Sequence, residues 1–379
     1  GYSGPAAADG KIYVMDYECR EGSSTNNPGG RDQLKGTERV KCFDATDGTL
    51  IWQHEYNRPY HLSFAGGPRC TPTIDGERVY ALGAEGNLWC LNAKSGEVLW
   101  SKDFVQDYDA KTAIWGVAAH PLVDGDKLYC VIGGEGTVAV AFDKKSGKEV
   151  WRSLTANEPG YCPPSLIEHA GRQQLLIWHS DSVNALEPST GESLWSAAIK
   201  PNFAMAIAAP QKIESKLFVS GYGESALLEL NEAGNAVEIV WRGKPKKAIF
   251  SGNVTPVVED DVAYGCDINS GMLAGMRLSD GERLWETLAP TTGGERRVRY
   301  GTAFLTRHKN RFFIFGETGD LILSKLSPSG YEEISRFHVL EPTNKVFGRN
   351  VVWSHPAYAY QSLFARNDKE LVCVDLAAD

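Results

Sequence analysis

The 379 residues contain no uninterrupted apolar run of the ~18 that a bilayer-spanning helix needs, so no transmembrane segment is expected. The first residues, Gly1 to Lys11, show neither a charged n-region nor the apolar run of a secretory leader; Gly1 opens directly into what reads as a strand. Methionine is scarce, with 4 residues, and the eight cysteines (Cys19, Cys42, Cys70, Cys90, Cys130, Cys162, Cys266, Cys373) stand singly without a CxxC pair. That spacing excludes a zinc ribbon or a paired-thiol redox motif. There is no GxxxxGK[ST] phosphate loop, no HExxH and no GxSxG elbow, and Gly133-Gly134-Glu135-Gly136 joins two strands instead of opening a helix. Positive charge is in deficit: 39 Lys and Arg against 48 Asp and Glu give a net charge of −9, so no nucleic-acid partner is expected.

What is abundant is glycine, at 39, and tryptophan, at 10, a balance that suits short strands joined by tight turns. One pattern returns along the whole chain: a hairpin, an apolar strand, then Asp/Asn-x-x-x-Gly-x-x-x-Trp. Its turn glycines are Gly48, Gly96, Gly147, Gly191, Gly234, Gly281 and Gly330. Tryptophan follows four residues later at Trp52, Trp100, Trp151, Trp195 and Trp285, is delayed to Trp241, and is missing after Gly330. Upstream in each repeat, Asp-Gly turns such as Asp9-Gly10, Asp75-Gly76 and Asp124-Gly125 lead into Lys-Ile-Tyr-Val-like strands, a strong hairpin signal. Each repeat therefore reads as four antiparallel strands, A to D. Such a unit cannot bury both faces alone, but radial stacking as propeller blades buries every face and protects the edges. The six tryptophans are then structural docking residues, each filling the seam between blades while its N–H reaches a carbonyl next door. Cys42, Cys90 and Cys373 share one repeat position and read as small buried hydrophobes.

The segments Ala45-Thr46-Asp47-Gly48-Thr49-Leu50-Ile51-Trp52 and Pro188-Ser189-Thr190-Gly191-Glu192-Ser193-Leu194-Trp195 resemble the tryptophan-docking motif of pyrroloquinoline-quinone-like (PQQ-like) propellers, and the resemblance covers essentially the whole chain. It implies an all-β, eight-bladed β-propeller of four-stranded blades, one domain over residues 1–379, with a last blade, from about Arg349, that lacks its outer strand. Propellers of this kind close by lending the last blade an N-terminal strand, which is expected upstream of Gly1. The family includes quinoprotein dehydrogenases that hold PQQ in the central channel and non-catalytic, BamB-like scaffold propellers. The latter are the nearer resemblance, because the adjacent cysteine pair and the large inter-blade insertions of the dehydrogenases are missing here. A non-catalytic, monomeric, periplasmic or otherwise extracytoplasmic scaffold without cofactor is expected, the alternative being a PQQ- and calcium-dependent dehydrogenase of an alcohol or sugar.

Strand direction places the A–B and C–D turns at one end of each blade and the longer B–C loops and D–A connections at the other. The long segments include Tyr17 to Glu38 and those near residues 54–68, 103–115, 242–252, 288–300 and 341–351. Variable loops on a rigid scaffold carry recognition, so function is expected there. Asp103, Asp107 and Asp109 make one connection acidic, whereas Arg242, Lys244, Lys246, Lys247, Arg296, Arg297, Arg299, Lys345 and Arg349 form an expected basic sector suited to an anionic group or left as solvated charge. Residues flanking these loops are expected to rim the channel: Tyr2, Arg69, Trp115, His120, Tyr161, Arg299, Tyr300, Asn350, Trp353 and His355, an aromatic and Arg mixture suited to a protein segment, a sugar or a flat cofactor, or to simple channel filling. The expected binding set is these without Tyr2 and His120 but with Lys247, Arg297 and Arg349; no catalytic or metal residue is assigned, and the partner is a protein or an anionic small ligand.

Overall fold

The computed structural model describes residues 1–294 and 296–377; Glu295 and the last two residues of the expected final repeat lie outside the described residues. The first sheet is β1 (Ala6–Ala8), β2 (Lys11–Glu21), β3 (Asp32–Asp44) and β4 (Leu50–Asn57), antiparallel in that order, with β5 (Tyr60–Leu62) added beside β3. Asp9 and Gly10, which join β1 to β2, both take left-handed backbone (φ 48° and 71°), as a two-residue hairpin requires. Six four-stranded sheets follow, each with its strands in chain order, then a ribbon pairing Asn344–Val346 with Arg349–Val351, and a three-stranded sheet of Ala357–Ala359, Ser362–Arg366 and Leu371–Asp375. Among the described residues no helix is long and apolar enough to cross a membrane.

By their contacts the residues form two compact units, one of residues 1–159, 343–350 and 354–379, the other of residues 160–342 and 351–353. In both, the core lies between successive sheets. Tyr13, Met15, Val40 and Cys42 of the first sheet pack on Val79, Ala81 and Leu91 of the second; in the other unit Leu176, Val183 and Ala185 pack on Leu217, Val219 and Leu228.

Tryptophan ties sheet to sheet. The Trp52 indole N–H donates to the Ala93 carbonyl (3.0 Å), Trp100 to Lys144 (3.3 Å), Trp241 to Leu278 (2.7 Å) and Trp285 to Ser327 (2.8 Å). The receiving turn must be glycine for two reasons. Gly96 has a left-handed φ of 75°, and a Cβ there would fall 2.6 Å from the Trp52 ring. Trp195 differs: its N–H donates to Gln174 Oε1 (2.8 Å), and the same amide donates onward to the Gly234 carbonyl (2.7 Å), so a side chain relays the tie. Trp151 is buried against Tyr129, with ring centroids 5.9 Å apart.

Two expectations change. The segment Tyr17 to Glu38 is mostly strand, not loop: Tyr17 pairs with Glu38, Glu18 with Thr37, Cys19 with Gly36 and Glu21 with Lys35. Its strands are polar because they run on beyond the core as a ribbon, held by cross-strand contacts such as Lys35–Glu21 (2.7 Å) and Arg20–Thr37 (2.6 Å). Cys373 is exposed whereas Cys42 and Cys90 are buried, although the three share a repeat position. Their strands β3 and Asn87–Asn92 are flanked on both sides, whereas Leu371–Asp375 is an edge of the three-stranded sheet.

Candidate functional site

The expected binding residues divide between the two units. In the first, Arg69 turns inward: its guanidinium donates to the carbonyls of Ser63 (2.8 Å), Phe64 (2.7 Å) and Gly67 (2.5 Å) and lies 5.3 Å from the Tyr2 ring centroid. Trp115 donates its N–H to the Pro28 carbonyl (3.1 Å). His355 Nε2 meets Thr71 Oγ1 at 3.2 Å, and desolvation lowers its pKa. The neighbouring His120 is lowered further, to about 4, first by desolvation and then by His355. Both residues are exposed. Arg349 is half-buried and Asn350 exposed in the ribbon.

The same unit holds a cavity of about 790 Å³ lined by Tyr2, Asp16, Asn26, Arg39, Arg366 and others. Part of its charge is matched internally. Asp16 accepts from Arg39 (2.6 Å) and Lys41 (2.8 Å); burial pushes its carboxyl up, but these bonds outweigh it and hold the group below the usual range. Beyond the expected set is Glu38, fully buried, which accepts from the hydroxyls of Tyr56 and Tyr60 and from the Ala84 N–H (2.9 Å). Burial raises its pKa against those donors. Tyr17 stacks on Tyr60 at 3.9 Å and 11°. The side chain locks the polar ribbon onto the second sheet.

In the second unit, Tyr161 is buried and its backbone N–H donates to Ala206 (2.8 Å); Trp353 donates to the buried carboxylate of Glu317 (3.2 Å), which also accepts from the Thr302 N–H (3.0 Å). Lys247 pairs with Glu282, and Arg297 reaches Glu286 at 3.3 Å with its guanidinium largely in solvent. Arg299 is exposed beside Tyr300, whose φ is 59° and whose N–H donates to Ile268 (2.9 Å).

Tyr300 meets Tyr222 edge to face (6.5 Å, 62°), and Tyr222 stacks on Phe203 (5.9 Å, 17°). Phe203 is 70% exposed, the most exposed large apolar side chain among the described residues. Phe203 and Tyr222 lie outside the expected set; the one sequence signal was an aromatic within the D–A connection that opens at Lys200-Pro201-Asn202. Asn202 fixes the loop: its backbone N–H donates to the Tyr222 carbonyl (2.8 Å), and its side chain occupies the space where a Cβ on Gly223 would sit. The cluster offers an apolar face with Arg299 exposed beside it, chemistry for association with a surface carrying a carboxylate and an apolar projection.

Residues 36–287 and 134–377 match the family model described as outer membrane protein assembly factor BamB. The chain is 32% identical over 170 residues to the quinohemoprotein alcohol dehydrogenase ADH-IIG of Pseudomonas putida, covering 42% of this chain and 22% of that protein. It is 25% identical over 228 residues to the outer membrane protein assembly factor BamB of Shewanella oneidensis, covering 57% of this chain and 56% of that protein. Neither relative is spanned over two thirds of its length. The solved structure of BamB from Moraxella catarrhalis shares the fold, with a TM-score of 0.60 at 16% identity over 95% of this chain and 97% of that one.

Proposed function

The chain belongs to the family described as outer membrane protein assembly factor BamB, and on that premise we propose that it is a non-catalytic, extracytoplasmic β-propeller scaffold that holds a protein partner through its B–C loops and D–A connections. Counting the three-stranded sheet as a blade gives eight, the first carrying the extra strand β5. The observation that carries the reading is a contrast in exposure: Glu38, Asp16, Asp267 and Glu317 are buried or half-buried and hydrogen-bonded, while Arg297, which reaches Glu286, Arg299 and the Phe203 ring are exposed on loops. Rigid sheets with aromatic and cationic loops are a binding surface.

The competing reading is a quinoprotein dehydrogenase. Calcium beside a quinone takes six or more oxygen ligands, carboxylates among them. The buried carboxylates of Glu38 and Glu317 are already committed to protein donors, which favours the scaffold reading.

Calorimetric titration with PQQ, with and without calcium, decides between them. No saturable heat at high micromolar cofactor is the expected outcome; saturable binding with dye-linked alcohol turnover overturns the scaffold.

A further inference from the structure

Phe203 sits outside the buried core. Most aromatic side chains of the second unit are buried or half-buried, yet Phe203 presents 70% of its surface to water. Its backbone is left-handed (φ 56°, ψ 31°), and so is that of Ala204 (φ 54°). Two consecutive non-glycine residues in that region, where Cβ crowds the following carbonyl, are strained. The surroundings hold the strain in place: Asn202 donates to the Tyr222 carbonyl, Met205 donates back to Asn202 (3.1 Å), and Ala206 accepts from Tyr161 (2.8 Å). The strained turn lifts the ring onto Tyr222, and Tyr222 in turn abuts Tyr300. Exposed around this unit's loops are Lys200, Lys244, Lys246, Arg296, Arg297 and Arg299, in a chain whose net charge is −9.

We propose that Phe203, propped on Tyr222 and Tyr300, is the anchor of an interaction surface for an acidic protein segment that lays an aliphatic or proline side chain on the ring and sets carboxylates against Arg299 and its neighbours. A large ring fixed in place loses little freedom on binding and supplies most of the contact, while the cations steer an acidic partner. This rests on the scaffold reading and names the residue at its centre.

The test places the photo-crosslinking residue p-benzoyl-phenylalanine at position 203 in the full chain expressed in its native host, with the same probe at Phe337, an exposed ring on an outer strand, and at Trp115 in the other unit. An adduct from position 203, mapped to an acidic segment of one protein and absent at Phe337, is the expected result. Phe203→Gly, which relieves the strain, then lowers affinity for that purified segment at least tenfold without lowering the melting temperature by more than a few degrees, and Arg299→Glu lowers it with a weaker salt dependence. Adducts at Trp115 but none at 203 overturn the anchor and leave the scaffold standing. The absence of adducts at both overturns both. A segment that is captured but binds Phe203→Gly as tightly as wild type also overturns the anchor.

Discussion

At Arg69 the guanidinium lies 5.3 Å from the Tyr2 ring and donates to three carbonyls between Ser63 and Gly67; at Arg299 the side chain stands in solvent beside Tyr300, two rings away from an exposed Phe203. Both sites combine arginine, aromatic rings and left-handed backbone, Phe64 at φ 51° in one and Phe203 and Tyr300 in the other. The difference is where the donors point. In the first unit the loop closes over its arginine, so charge stabilises the loop; in the second the loop is held by backbone bonds from Asn202 and Tyr300, and the Phe203 ring and Arg299 are exposed on it. Residue type identifies what a loop can bind, and burial and hydrogen bonds show how far Arg69 is already bound within its own loop.

The contrast is most severely tested at Glu38. Glu38→Ala leaves two tyrosine hydroxyls and the Ala84 N–H unpaired in the core and is expected to cost roughly 3–5 kcal/mol, read by chemical denaturation. Arg69→Ala removes three carbonyl bonds and a ring contact and should cost about 2–3 kcal/mol; a neutral result would place Arg69 on the presenting side of the comparison. His120 is held neutral in the fold, to about pH 4 against an ordinary 6.5, so the unfolded chain takes the proton first and stability falls as pH drops from about 6.5 towards 4. Because the residue is exposed, the loss is a fraction of that for full burial, and a His120→Gln variant should show a flatter stability profile across that window. Phe203→Gly exchanges relieved strain for lost stacking and a freer unfolded chain, terms of about 1 kcal/mol each, so thermal denaturation should place it within about 1 kcal/mol of wild type. Arg299→Ala should change stability by no more than about 0.5 kcal/mol in the same measurement, its effect appearing only in binding.

The sheets were legible because each repeats a signal that is local: Asp-Gly turns, alternating apolar residues, and the Gly-x-x-x-Trp spacing all act within a few residues of chain. The polar ribbon from Tyr17 to Glu38 was not, because its strands are stabilised by each other's side chains and by Glu38, not by an apolar face; Asn27-Pro28-Gly29-Gly30 marks its turn but not its length. Arginine and tryptophan at the loop ends could be named from the sequence, but not which were committed inward, since Arg69 finds its carbonyls on a loop whose path no local pattern specifies. Phe203 escaped for the complementary reason: an aromatic residue is ordinarily read as core, and only its left-handed backbone turns it outward.

The ties between neighbouring sheets constrain how such a chain can change over evolution. Most repeats carry both a plug, the tryptophan, and a socket, the glycine turn that can receive the tryptophan of the repeat before it, as Trp52 meets Gly96 and Trp100 meets Gly147. Duplicating a whole repeat therefore supplies one new plug and one new socket together, whereas an insertion that separates Gly96 from its sheet strands Trp52. Lengthening by complete units, and novelty confined to the opposite ends of the strands where Phe203 and the polar ribbon lie, are the changes such a coupling tolerates.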